Sequence, residues 1–139
     1  MTDNIELIKF LDAQNEVYEK ALSEIKKGKK ETHWMWYIFP QVQGLGYSET
    51  AKHYGIKDLN EAAAYLEHPI LGKHLIEISE EVWSLKGKTA TQIFGTPDDM
   101  KLRSCMTLFA KVKNANPIFN KVLEKYFNGL PDERTLQLL

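Results

Sequence analysis

One stretch of the sequence, residues 32–48 (THWMWYIFPQVQGLGYS), concentrates side chains that could recognise a ligand. Aromatic rings can stack on planar groups, and backbone amides at a helix start that follows a glycine turn can hold a carboxylate or phosphate. These residue types predict a site for a small anionic or nucleotide-like ligand. The candidate binding residues in the stretch are His33, Trp34, Trp36, Tyr37, Gln41, Gly44, Gly46 and Ser48.

His33 is the candidate catalytic residue of this stretch, because an imidazole titrates near neutral pH and can act as a general acid or base. His33, Tyr37 and Gln41 are spaced by four, so they would share one polar edge if a helix continued through them. Packing alone also explains much of the stretch, since its aromatic rings supply a large apolar area. No reaction follows from these residues, and the sequence leaves open whether the protein is an enzyme.

A second group of polar side chains follows Asp98, on a helix predicted to run to Lys113. Lys101 and Ser104 are neighbours on such a helix. One interpretation is an anion clamp that faces the glycine loop, in which Arg103 offers a planar fork and Lys101 a point charge. The other interpretation is an ordinary solvent-exposed helix face.

The sequence contains no motif for a cofactor, a metal ion or a nucleophilic cysteine. The turn from Gly44 to Gly46 is neither a Walker loop nor a complete dinucleotide fingerprint, and the parallel strand that both require is not predicted. His68 and His74 are six residues apart, on different helical faces, and no HExxH or CxxC is present. Cys105 is predicted to be a small buried hydrophobe. We therefore expect no cofactor and no metal site.

The composition excludes several classes of partner. Of the 139 residues, 18 are Lys or Arg and 19 are Asp or Glu, so the net charge of −1 gives no field that attracts polyanions. We expect no nucleic-acid partner and no membrane association, since no apolar run approaches the ~20 residues of a membrane span. The first residues lack the pattern of a signal peptide, which favours a cytoplasmic protein. No oligomeric state follows from the sequence.

The hydrophobic spacing predicts an all-α protein: a single domain of residues 1–139, built as an irregular or orthogonal bundle of about seven helices. The first predicted helix runs from Asn4 to Lys27, with Asp3 and Glu6 as a capping-box-like start and Gly28 as its stop. Residues 33–39 are predicted as a short helix capped by Thr32, because no other segment could pair with them as a strand. Later helix starts are predicted at the capping residues Ser48, Asp58, Thr89 and Asp132.

Five strings in the sequence are long and unusual: THWMWYIFPQ, GLGYSETAKHYGI, EAAAYLEHPILGKHL, QIFGTPDDMKLRSCMTLF and PDERTLQLL. Together they closely resemble domain-of-unknown-function family 1810, over nearly the whole chain. The resemblance implies a small, mainly α-helical bacterial protein, from a family that is sometimes mislabelled calpastatin. It implies no activity, cofactor or catalytic residue. The family string near Met106 resembles KLRSSMTLF, so Cys105 stands here in place of the second serine.

Two classes of function stay open at this point. The first is the binding of a small anionic or nucleotide-like ligand, and a concave pocket of about 300 to 1,000 Å³ would favour it. The second is a non-enzymatic protein-interaction module, in which the aromatic segment or the loop from Pro40 to Tyr47 docks another protein. An exposed apolar patch larger than about 600 Å² would favour this second class.

Overall fold

A computed structural model describes residues 5–139 of the chain. Over this range the backbone forms ten α-helices and one isolated parallel β-bridge, between Val42 and Ile56, which confirms the all-α class. The helices are α1 (Ile5–Gln14), α2 (Tyr18–Lys26), α3 (Met35–Ile38), α4 (Glu49–His53), α5 (Leu59–Glu67), α6 (Leu71–Ser84), α7 (Ala90–Phe94), α8 (Asp98–Ala110), α9 (Ile118–Phe127) and α10 (Glu133–Leu138). None of them is long and apolar enough to cross a membrane.

The first predicted helix is two helices, and this is one reason why about seven was too low a count. The chain turns between α1 and α2, where the amide of Val17 donates to the carbonyl of Gln14 at 3.1 Å. The side chain of Gln14 is buried at this turn and donates to the carbonyl of Tyr37 at 2.7 Å and the hydroxyl of Tyr65 at 3.0 Å. Ile8, on α1, is 43% exposed.

The predicted ends of that first segment have different outcomes. Gly28 ends α2 as predicted, with a φ of +81° that a residue with a side chain rarely adopts. The capping-box prediction depends on Asp3, which lies outside the described residues.

The buried centre of the fold is α8, which packs against α5, α7, α9 and α10. Nearly every residue from Leu102 to Phe109 is buried, because helices cover α8 on several sides. Cys105 is fully buried there, and this burial raises the pKa of its thiol well above the usual value. It is therefore the small hydrophobe that the sequence predicts, and the thiol is not activated as a nucleophile.

The junction between α5 and α6 is tightly packed. A Cβ atom added at Gly72 would lie 2.0 Å from the carbonyl oxygen of Leu66, so only glycine allows this approach. His68 is buried at the junction, and its Nδ1 accepts from the amides of Ile70 at 3.1 Å and Leu71 at 3.3 Å. The imidazole therefore binds amides at the start of α6 that have no partner within the helix.

The aromatic segment is anchored by the buried carboxylate of Glu24. This carboxylate accepts from the amide of Glu31 at 2.8 Å, the amide and hydroxyl of Thr32 at 3.1 and 2.6 Å, and the indole Nε1 of Trp34 at 2.9 Å. Thr32 is not the N-cap of α3, because the helix begins at Met35 and the N-cap position is Trp34. The helix begins only at Met35 and makes a single turn.

The Glu24 carboxylate is held in its charged form. Burial by itself would raise its pKa, but the hydrogen bonds from Thr32, Glu31 and Trp34 outweigh this effect and lower the pKa to about 2. The charge is therefore part of the folded structure at neutral pH, and it fixes the entry of the chain into α3.

The chain after α3 forms a loop that closes on itself at the β-bridge. The amide of Gln43 donates to the carbonyl of Ile56 at 2.8 Å, and the amide of Ile56 donates to the carbonyl of Gln41 at 2.8 Å. Between these two points lies α4, which is capped by Ser48 as predicted, with the hydroxyl oxygen accepting from the amide of Ala51 at 3.1 Å. The loop is thus fixed at its base.

Candidate functional site

A cleft of about 430 Å³ lies between this loop, the start of α8 and the C-terminal segment. Its volume falls within the range of small-molecule sites, about 300 to 1,000 Å³. Residues 45–48 of the glycine loop and the Lys101 side of α8 both line this cleft. The residues that line the cleft are Trp36, Gln41, Val42, Leu45, Gly46, Tyr47, Ser48, Ala51, Tyr54, Gly55, Pro97, Met100, Lys101, Ser104, Asp132 and Arg134.

The structure brings together about half of the candidate residues that the sequence predicts. Those on the cleft are Trp36, Gln41, Gly46, Ser48, Lys101 and Ser104. Those that do not line it are His33, Trp34, Tyr37, Gly44 and Arg103.

Trp34 is in the core and cannot stack on a ligand in the cleft. Its ring is fully buried between Phe39 and Phe94, and its indole N–H is bound to Glu24. The prediction that Trp34 lines a ligand site is therefore wrong. Trp36 is only partly buried and is the tryptophan of this segment that reaches the cleft.

The predicted polar edge of His33, Tyr37 and Gln41 does not form, because α3 ends at Ile38. His33 is exposed and away from the cleft, so it is not placed to act on a ligand there. The hydroxyl of Tyr37 donates to the carbonyl of His33 at 3.3 Å. Gln41 reaches the cleft from the extended chain that follows the helix.

Gly44 does not line the cleft. A Cβ atom at this position would lie 3.4 Å from the side chain of Leu138 on α10. Gly46 does line the cleft, and a Cβ there would lie 2.6 Å from the Cβ of Ala51. The absence of a side chain at Gly46 is therefore what allows the loop to pack closely on α4.

Lys101 supplies a positive charge on one wall of the cleft. Its Nζ lies 3.3 Å from a carboxylate oxygen of Asp98 and 4.3 Å from the centre of the Trp36 ring. Asp98 also pairs with Lys30, whose Nζ lies 2.8 Å from its other oxygen. Two lysines share one carboxylate, so this group keeps a net positive charge.

Arg103 is not an arm of an anion clamp, as the sequence had suggested. Its Nε donates to the carbonyl of Leu130 at 2.9 Å, and its Nη2 donates to the carbonyl of Pro131 at 3.1 Å. Next to it, the hydroxyl of Thr107 accepts from the amide of Asp132 at 2.9 Å. The planar fork thus holds the segment that leads into α10, which makes Arg103 a positioning residue for the cleft wall.

The cation that this wall presents to the cleft is Arg134, which sequence reasoning missed. Its Nη2 donates to the hydroxyl of Tyr47 at 3.1 Å, and this hydrogen bond lowers the pKa of Tyr47. Asp132, on the same wall, accepts from the amide and hydroxyl of Thr135 as the N-cap of α10. Tyr47 and Arg134 lie in two of the unusual strings, but no local spacing connects positions so far apart.

The polar groups of the cleft differ in how many of their hydrogen-bonding positions are already occupied by other groups of the protein. The hydroxyl of Ser104 donates to the carbonyl of Met100 at 3.1 Å, so its oxygen can only accept from a ligand. The hydroxyl of Ser48 accepts from Ala51, which leaves its hydrogen free to donate. No hydrogen bond within residues 5–139 uses the side-chain amide of Gln41.

These groups give the cleft a defined chemical character. Lys101 and Arg134 are positive and Asp132 is negative, so the charged side chains that line it have a net charge of +1. In the described part of the chain, no group of three or more His, Cys, Asp or Glu side chains could hold a metal ion. The cleft can therefore recognise a hydrogen-bond acceptor that carries negative charge.

Most of the aromatic segment is buried and cannot contribute to a docking surface. Trp34, Phe39 and Pro40 are buried. The interaction-module hypothesis thus loses that part of its basis, and only Tyr47 of the loop, at 76% exposure, presents a large ring to solvent.

The chain matches known proteins over most of its length. The chain is similar to the conserved hypothetical protein Rv1873 from Mycobacterium tuberculosis, whose crystal structure is known. The two sequences are 47% identical, and the structures superpose with a TM-score of 0.95 over 96% of each chain. No curated protein matches the chain. The pattern of the protein of unknown function family DUF1810 matches residues 4–139. The chain therefore belongs to the DUF1810 family.

Proposed function

We propose that the cleft binds a small anionic ligand with a planar or apolar body, such as a nucleotide or an aromatic acid. The observation that carries the proposal is the set of donors around one concave surface that the protein uses only in part. Gln41 and Ser48 offer neutral donors, and Lys101 and Arg134 offer charged ones. Donors that the protein uses only in part suit a ligand that is rich in acceptor oxygens.

The remaining walls suit the body of such a ligand. Leu45, Tyr54 and Met100 contribute apolar surface, and Trp36 contributes a ring close to the Lys101 ammonium. Small-molecule sites typically combine apolar walls with a few convergent polar groups. We propose binding and assign no reaction, because His33, the candidate acid or base, is away from the cleft.

A thermal-shift screen tests the proposal. Candidate ligands are a nucleoside monophosphate, a sugar phosphate and aromatic carboxylates, with their uncharged analogues as controls. A ligand at about 100 times its Kd adds ~2.7 kcal/mol to the unfolding free energy, which raises Tm by several degrees.

Two variants localise any shift to the cleft. Lys101→Gln removes a cation, and Gln41→Glu places a negative charge on the wall, so both are expected to reduce the shift. Lys20→Gln and Gln137→Glu make the same chemical changes at exposed positions that do not line the cleft. A shift that survives both cleft variants, or no shift with any of the probes, contradicts the proposal.

A further inference from the structure

Arg134 has a weak partner for a guanidinium. One of its nitrogens donates to the neutral hydroxyl of Tyr47 at 3.1 Å. No carboxylate of residues 5–139 lies within salt-bridge distance of it. A guanidinium carries several N–H donors in a planar fork that fits two carboxylate oxygens at once. Most of this binding capacity is directed to no group within residues 5–139.

Arg134 and Tyr47 are held with unequal firmness. Arg134 lies on α10, whose entry is bound by Arg103 and Thr107 and whose Thr135 is fully buried. Tyr47 is 76% exposed, and its bond to Arg134 is its one side-chain hydrogen bond to the described residues. Both side chains are exposed, but Tyr47 lies on a loop and Arg134 on a helix whose entry is fixed, so we expect the tyrosine to move if the two separate.

The charges on this wall favour a singly charged ligand group. Asp132 lies beside Arg134 and its negative charge acts on the guanidinium. Its carboxylate is bound to Thr135, so it stays on the wall when a ligand arrives. With Lys101 also on the lining, the cleft has one net positive charge to balance. A second negative charge on the ligand would have no matching cation.

We propose that the ligand's anionic group is a carboxylate that binds Arg134 and displaces the Tyr47 hydroxyl from it. This inference rests on the proposed function, because it assigns the ligand class and the anchoring residue of the same cleft. An ionised acceptor makes a stronger hydrogen bond to a guanidinium than a neutral phenol does. Tyr47 therefore competes with the ligand, and it moves aside when a carboxylate occupies the fork.

The test uses the whole chain, with benzoate as the probe and the uncharged benzamide as its control. Binding is followed by amide NMR titration at millimolar probe concentrations, together with Tm without ligand for each variant. We expect Tyr47→Phe to bind benzoate about 2- to 10-fold more tightly, because the competing hydroxyl is gone. Arg134→Gln should bind at least about tenfold more weakly, and Arg134→Lys should lie between that variant and the wild type.

The opposite signs distinguish competition from a structural role. If the Tyr47 contact only holds the loop in place, Tyr47→Phe and Arg134→Gln weaken benzoate binding in the same direction, and the inference is rejected. It is also rejected if benzamide binds as well as benzoate, or if phenyl phosphate binds more tightly.

The inference can fail while the proposed function stands. If ligand binding is weakened by Lys101→Gln but unaffected by Arg134→Gln, the cleft binds a ligand and the inference about Arg134 is rejected. If neither benzoate nor any probe of the thermal-shift screen binds the wild-type protein, both proposals are rejected together.

Discussion

The stability of the protein should fall in a defined acidic range because of Glu24. Its folded-state pKa is lowered from 4.5 to about 2 by the hydrogen bonds from the aromatic segment. A group whose pKa is lowered on folding contributes stability above its unfolded-state pKa and loses that contribution as the pH falls towards the folded-state value. The difference between the two values corresponds to about 3 kcal/mol at neutral pH.

Urea unfolding of the wild type and of Glu24→Gln at pH values from 7 to about 3 measures this contribution. The substitution keeps the size of the side chain but turns an amide N–H₂ towards donors. We expect Glu24→Gln to be less stable than the wild type by about 2 to 3 kcal/mol at pH 7. The gap should narrow as the pH falls below 4.5, because the wild type then loses its own charge.

Glu80→Gln is the matched control. Glu80 is exposed on α6, so its substitution should change the unfolding free energy by less than about 0.5 kcal/mol. The reasoning is refuted if Glu24→Gln is as stable as this control at pH 7. It is also refuted if the stability gap between Glu24→Gln and the wild type is the same at pH 7 and pH 3.

Two further predictions test the buried core and the wall of the cleft. Leu75→Ala should cost about 2 to 5 kcal/mol, because the side chain is buried on α6, whereas His33→Ala at an exposed position should cost less than about 0.5 kcal/mol in the same urea assay. Equal losses would contradict the burial that we describe. Arg103→Gln should speed hydrogen exchange of the amides from Leu130 onwards, because two hydrogen bonds to that segment are lost. It should also weaken ligand binding in the cleft, although Arg103 does not line the cleft. Unchanged exchange would show that Arg103 does not position the wall.

The sequence could predict the helices wherever the signal is local. The capping residues Ser48, Asp58, Thr89 and Asp132 each bind an amide three residues ahead, so residue type and spacing suffice to place a helix start. The hydrophobic repeat in α6 and the stop at Gly28 depend on contacts within one helix or on one residue's own backbone. These signals determined the all-α class.

The break between α1 and α2 and the late start of α3 depend on distant partners. Gln14 turns into the core because Tyr65 lies 51 residues away in sequence but within hydrogen-bond distance in space. Thr32 looks like a helix cap, but its amide and hydroxyl donate to Glu24 and the helix begins only at Met35. A capping pattern cannot show that a buried carboxylate on another helix fixes the path of the chain at this point.

The site divides in the same way. The sequence by itself predicted that residues 32–48 and the Lys101 side of α8 could supply binding groups, because side-chain types alone reveal donors, cations and rings. Only the tertiary structure decided that Trp34 is core, that Arg103 holds backbone, and that Arg134 lies against Tyr47, 87 residues earlier in the chain. The physical reason is that a cleft is formed by elements that meet through packing, and local sequence spacing does not encode which elements meet.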